Sequence, residues 1–309
     1  TMQIIMAFLM ICMISIMLPR AAVSATRVDE VLTSTTLIND PKQPKHLKEG
    51  KGMVEFDHVS FRYPGAEEDV LHDISFTAKP GETTAIIGST GSGKSTMVNL
   101  IPRFYDVTEG KITIDGEDIR NVTQHELRDQ LGYVPQKGVL FSGTIASNIL
   151  YGNPDGSEET MMEAAKVAQA AEFIEEKPKC YDSRISQGGG NVSGGQKQRL
   201  SIARAIAKDP KIFIFDDSFS ALDYKTDVTL RKALKEHTVN STVIIVAQRI
   251  STILHAEQII VLDEGKVAGI GTHKELLKNC DVYYQIAASQ LSEKELERDL
   301  NQDEQEGGR

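Results

Sequence analysis

Eight consecutive residues, Gly88-Ser89-Thr90-Gly91-Ser92-Gly93-Lys94-Ser95, put three glycines, a lysine and a hydroxyl at the spacing of a loop that cradles phosphate. Glycines at 88, 91 and 93 let successive backbone N–H groups turn toward an anion, and a helix beginning there adds its positive end. Lys94 supplies a cation to phosphate oxygens, and Ser95 offers a hydroxyl to Mg²⁺. Two other segments could do related chemistry. Asp216 closes the apolar run Ile212 to Phe215, where a buried acid has no partner and demands a cation. Ser193-Gly194-Gly195-Gln196 opens a helical stretch, so its amides and hydroxyl form an N-cap that can double as a second anion site.

These residues need elements to hold them. The strand Thr84 to Ile87 runs into the glycine loop, and Ser95 to Phe104 reads as the following helix. Before it, Val54, Phe56, Val59 and Phe61 mark a strand, and Ile74 to Phe76 marks another. Lys111 to Ile114 with Asp115-Gly116 reads as a hairpin arm. Glu158 to Glu176 has helical composition, and Ser193 to Lys208 is a helix with a capping serine. Ile212 to Phe215, Thr242 to Val246 and Gln258 to Leu262 are apolar runs separated by helical segments, the alternation of a parallel sheet covered on both faces.

Composition narrows the partners. The 309 residues are 40% hydrophobic and carry a formal charge of -10, which argues against a nucleic-acid partner, since that needs clustered Lys and Arg over a face. Cys12, Cys180 and Cys280 lack a pairing or metal-ligand spacing. Thr1 to Leu18 has no charged residue before Pro19 and Arg20 end the run and reads as most of a membrane-spanning helix, and a brief helical pattern around Val23 to Leu32 reads as a helix end running into a linker. A secretory leader is the alternative, but nothing basic precedes the run. Arg20 and Arg27 place the following end in the cytoplasm. Opening in mid-helix, the chain reads as the C-terminal part of a longer membrane protein whose earlier helices are missing.

Asn191-Val-Ser-Gly-Gly-Gln-Lys-Gln-Arg199, with Ile212-Phe-Ile-Phe-Asp216-Asp217 and Ser220-Ala-Leu-Asp223, resembles the nucleotide-binding domain of ATP-binding-cassette (ABC) transporters of the exporter branch over about residues 53 to 290. The resemblance implies an α/β fold: a P-loop NTPase core with an antiparallel β subdomain and an α-helical signature subdomain at about 137–205, preceded by a partial transmembrane helix. The division it implies is 1–18 for the end of the last membrane helix, 19–50 for a coupling-helix end and linker, 51–289 for the cassette and 290–309 for a polar tail expected to fray. It implies ATP and Mg²⁺ as cofactors, with Gly88 to Thr96 gripping phosphate and Tyr63 stacking on adenine. Ser95, Asp216 and Gln136 would serve the metal, and Gln136 would also reach the attacking water. Ser193, Gly194, Gly195 and Gln196 would face the nucleotide of a second cassette.

Two departures bear on hydrolysis. Asp217 stands where the family has a water-orienting glutamate, one methylene longer, and neutral Gln248 stands where it has a histidine contacting the γ-phosphate. Gln187, in the linker 183–189, occupies a position usually acidic. The pattern resembles the slow-site subunit of a heterodimeric half-transporter, which drives efflux of a small molecule, lipid or peptide across the cell membrane with its cassette in the cytoplasm. A homodimeric exporter with a slow site, a non-transport ABC ATPase and a regulatory nucleotide sensor stay open at this point.

Overall fold

The computed structural model describes residues 1–301. In chain order the strands are β1 (Val54–Phe61), β2 (Leu71–Ala78), β3 (Thr83–Gly88), β4 (Glu109–Ile114), β5 (Glu117–Asp118), β6 (Leu131–Val134), β7 (Gly143–Thr144), β8 (Arg184–Ile185), β9 (Ile212–Asp216), β10 (Thr242–Val246), β11 (Gln258–Asp263) and β12 (Lys266–Gly271). The helices are α1 (Met2–Leu32), α2 (Lys94–Leu100), α3 (Gln124–Asp129), α4 (Ile145–Ile149), α5 (Glu158–Val167), α6 (Ala171–Glu175), α7 (Gly194–Ala207), α8 (Tyr224–His237), α9 (Ile250–Ile253), α10 (His273–Asn279), α11 (Asp281–Ala288) and α12 (Glu293–Asn301).

Two compact units divide at residue 39. The first is α1 and a short extension. Its mean hydropathy reaches 2.3 over 18 residues, and by length and composition it could cross a membrane. The apolar run and the helical pattern around Val23 to Leu32 form one helix, which continues through Pro19 to Leu32. A proline removes one backbone bond, while the Ala, Met, Leu and Arg around it are good helix formers and hold the turns on either side.

The second unit is built on a six-stranded sheet in the order β12-β11-β3-β10-β9-β6, parallel except for β12. Alternate residues of its central strands enter different cores. Ala85, Ile87, Phe213, Phe215, Val243 and Ile245 pack with the helices, whereas Ile86, Ile212, Ile214, Ile244 and Val246 pack with the other sheet. A strand buried on both faces has no polar side to show, which is why these runs are apolar beyond the threonines, Thr84 and Thr242, that open two of them. The second sheet, β2-β1-β4-β5, is antiparallel, with Phe56 stacked on Phe76 across the β1–β2 pair and a turn at Asp115-Gly116 where both residues have positive φ.

Three helical expectations change. The segment 158–176 is two helices, because α5 ends in a complete Schellman cap: Gln169 sits in the left-handed region at φ 55, its amide donates to Lys166 O, and Ala170 N donates to Ala165 O. The helix expected to reach Phe104 stops at Leu100, since Pro102 has no amide to continue it and Arg103 adopts φ 54. The tail expected to fray holds α12 instead. Ser292 and Glu295 exchange capping bonds, and Leu296 is buried in the helical core. Residues 302–309 of that tail lie outside the described residues.

Candidate functional site

β3 hands the chain to the glycine loop at Gly88, where a Cβ would collide with Leu262 O. At Gly93, φ is 97 and a Cβ would meet Leu71 Cδ2 at 2.6 Å, so this turn into α2 tolerates no side chain. Lys94 folds back over the loop, its Nζ donating to Gly88 O at 2.9 Å and Ser89 O at 2.6 Å. Burial pulls its pKa below the usual lysine value, with Asp217 and Asp216 acting in the opposite sense. Ser89, Thr90 and Gly91 are exposed at the loop's tip, Ser92 is buried beneath it, and no neighbour lies within 4 Å of a Cβ at Gly91. The loop therefore presents main-chain amides and one desolvated cation, which is chemistry for a polyanion.

Ser95, one residue into α2, donates its hydroxyl to Asp216 Oδ1 at 3.0 Å. Asp216 ends β9 and is buried; burial pushes its carboxyl above the ordinary range, Asp217 pushes the same way, and the Ser95 bond and Lys94 oppose them. A hydroxyl and a buried carboxylate at hydrogen-bond distance are hard oxygen donors, the set a Mg²⁺ ion accepts. Thr96 meets the hydroxyl of Tyr63 at 2.9 Å, and the Tyr63 ring stands edge-on to Phe61 and Tyr105. Tyr63 is thereby held against the loop's helix.

The Asp217 carboxylate, buried and at φ 47, forms a separate corner. Its Oδ2 accepts from Gln136 Nε2 at 3.1 Å and from Gln248 Nε2 at 2.7 Å. Its amide donates to Val246 O and its carbonyl accepts from Ser220 Oγ. Gln136, expected beside the metal, thus engages Asp217, and no hydrogen bond among the described residues joins it to Ser95 or Asp216.

Ser193 caps α7, accepting from Gln196 N, while Gln196 Oε1 accepts from Ser193 N. Ser193 and Gly194 are exposed, and no hydrogen bond among the described residues ties this segment to the Gly88 loop. Gln187 is exposed on a tight turn, Gln187–Gly189.

Sequence reasoning missed several supports. Gln198, buried in α7, accepts from Gly138 N and donates to Pro135 O, bridging the Gln136 loop. Ser218 donates to Val134 O beneath the Asp216-Asp217 pair. Tyr133 donates to Asn99, and burial, with Asp216, pushes its phenol upward. A glutamine on the apolar face of a helix is the one signal that could have exposed Gln198; Ser218 and Tyr133 carry none, because their partners lie far along the chain.

Residues 71–220 match the family model described as ABC transporter. An uncharacterized ABC transporter ATP-binding protein of Mycobacterium tuberculosis is 49% identical over 292 residues, 93% of this chain and 50% of that protein. A putative multidrug export ATP-binding/permease protein of Staphylococcus aureus is 44% identical over 248 residues, 80% of this chain and 43% of its own length. A bacterial Atm1-family ABC exporter solved with ATP bound superposes with a TM-score of 0.84 at 38% identity, covering 89% of this chain and 48% of that one. The chain spans about half the length of the curated relatives it matches.

Proposed function

We propose, for a chain that carries an ABC transporter ATP-binding domain related to those of exporters, that it binds MgATP and drives export of a substrate as one half of a two-cassette membrane transporter. The observation that carries the reading is the Ser95–Asp216 bond beside buried Lys94, because it joins the phosphate loop to the end of β9 and leaves a cation and two oxygen donors at one point. Ser95 and Asp216 would hold Mg²⁺, which when bound neutralises phosphate charge. Lys94 and the loop amides orient the phosphates, and Tyr63 offers its ring to adenine. The capped Ser193-Gly194-Gly195-Gln196 segment, exposed at Ser193 and Gly194, suits the nucleotide of a partner cassette, so each ATP lies between two chains.

Asp217 and Gln248 make this chain's own site the slow one. Its carboxylate is a methylene short of a glutamate and already shared by two amides, and Gln248 donates a hydrogen bond without a charge. The partner is then a second half-transporter whose fast site is completed by this chain's Ser193 segment. α1 supports an anchorage in the membrane, with the cassette on the cytoplasmic side.

The test is asymmetric. In the assembled full-length pair, Ser193→Ala is expected to abolish most ATPase activity, while Lys94→Ala costs less than the matching lysine change in the partner. Equal losses from the two lysine changes would overturn the slow-site assignment. Full turnover by this chain without a partner would point to a homodimer.

A further inference from the structure

Both glutamines that reach Asp217 sit on loops whose main chain is bridged by another glutamine. On the Gln136 side the bridge is Gln198, spanning Pro135 O and Gly138 N. On the Gln248 side it is Gln290, which follows α11. Gln290 Oε1 accepts from Ile250 N at 2.9 Å, and its Nε2 donates to Gln248 O at 2.9 Å. A primary amide carries the acceptor and the donor that the two bonds need, whereas a carboxylate only accepts and a lysine or arginine only donates.

Geometry at each end makes the bridge specific. Ile250 opens α9, a helix start with no side-chain cap from Arg249, so its amide lacks an intrahelical partner and Gln290 takes that place. Gln290 is rooted through its own backbone: its amide donates to Ala287 O, and α11 buries Tyr283 and Ala287 completely. A segment 40 residues away in sequence thereby fixes the backbone from which Gln248 reaches Asp217.

We propose that Gln290 is a positioning residue for the γ-phosphate side of the site: it holds the loop of residues 248–250 so that the Gln248 amide meets the Asp217 carboxylate. The proposal rests on the role given above to Asp217 and Gln248. It makes the C-terminal helices part of the catalytic apparatus, acting through a backbone and touching no substrate.

Hydrogen exchange and ATP turnover of the full-length protein test it, with Gln290→Ala placed against Gln285→Ala, a change at an exposed position of α11. Gln290→Ala should speed exchange at the Ile250 amide by about tenfold or more, as a local opening would. It should also lower hydrolysis at this chain's own site, read in a single turnover, by roughly 5- to 10-fold at unchanged ATP affinity, a loss of placement and not of grip. In a Gln248→Ala background the same change should lower own-site hydrolysis little further, because the group being placed is gone. Unchanged exchange at Ile250 would overturn the proposal, as would an equal loss of turnover with and without the Gln248 side chain. If Gln248→Ala alone left turnover intact, the role assigned to Gln248 would fall and the positioning role with it, while exchange at Ile250 would still report the bridge itself.

Discussion

The glycine loop and the Asp217 corner stand at the ends of adjacent strands, β3, β10 and β9, yet they are assembled in opposite ways. The loop is eight consecutive residues whose function lies in the backbone, with Lys94 bonded to carbonyls five and six positions away. The corner is three side chains from three separate segments, Gln136, Asp217 and Gln248, each placed by bonds to still other segments. A structure of the first kind survives wherever its local pattern survives. One of the second kind can be detuned by a single methylene or a single lost amide while the fold stays whole. On the proposed reading, grip and rate are therefore separable in this chain.

The sharpest break of that comparison is Lys94→Ala. Charge-assisted contacts of this kind are worth about 1.5–3 kcal/mol, so ATP affinity should fall on the order of 10- to 10²-fold, read by titration with a fluorescent nucleotide. The thermal midpoint should barely move, because the lysine is a desolvated cation that stabilises the free chain little. A large drop in midpoint with intact affinity would show that the loop is structural.

Asp217→Glu sharpens the comparison from the other side. If reach is the defect, its own-site turnover should rise by roughly 10-fold, within the range a shift of about 1 Å can command, with ATP affinity unchanged. Combined with Gln248→His the gain should be larger than either change alone, since a partly charged imidazole replaces a neutral amide. Single-turnover hydrolysis is the measurement; no gain in the double variant would mean that length and charge at the corner are not what limits it.

Gln198→Ala comes next in size. It removes the partner that Gly138 N and Pro135 O share in a part-buried place, which costs on the order of 1 kcal/mol, visible in urea unfolding. Nucleotide affinity should be unaffected. An equal weakening of ATP binding would mean that the two regions are less independent than their geometry implies.

The same contrast governs what can be read from residues alone. Gly88 to Ser95 and the Ser193 cap are legible because each is a contiguous pattern with a local physical cause. The doubly buried strands are legible because nearly every position is apolar. The break at Gln169 is not, since its Schellman cap uses glutamine where the recognisable signal would be glycine. The helix at 293–301 announces itself only by Ser292 and Glu295, three apart, in a segment whose composition reads as solvated. Gln198 and Gln290 act through main-chain partners about 60 and 40 residues distant, a relation no spacing encodes.

The smallest effect concerns the pair on which the two regions meet. In the free protein Asp216 has a carboxyl raised above its ordinary 3.8 by burial, so between 3.8 and that higher value the folded state holds the proton more often than the unfolded chain. Its contribution to stability is complete below 3.8 and is lost as pH rises through the raised value. Lys94, lowered from 10.5 by burial, acts in a distant window: there stability grows as pH rises through the lowered value. Asp216→Asn removes the acid-side term alone. Subtracting its unfolding profile from that of the parent should leave a difference that favours the parent in acid and shrinks or reverses toward neutral pH, even though other carboxylates dominate each curve separately. MgATP should cancel the reversal, because ligand that binds only the folded parent adds stability that the asparagine variant, short of one oxygen charge, gains less of. A flat difference across the acid range would show that Asp216 is already satisfied by Ser95 and Lys94, and that the corner between grip and rate needs no cation to settle its charge.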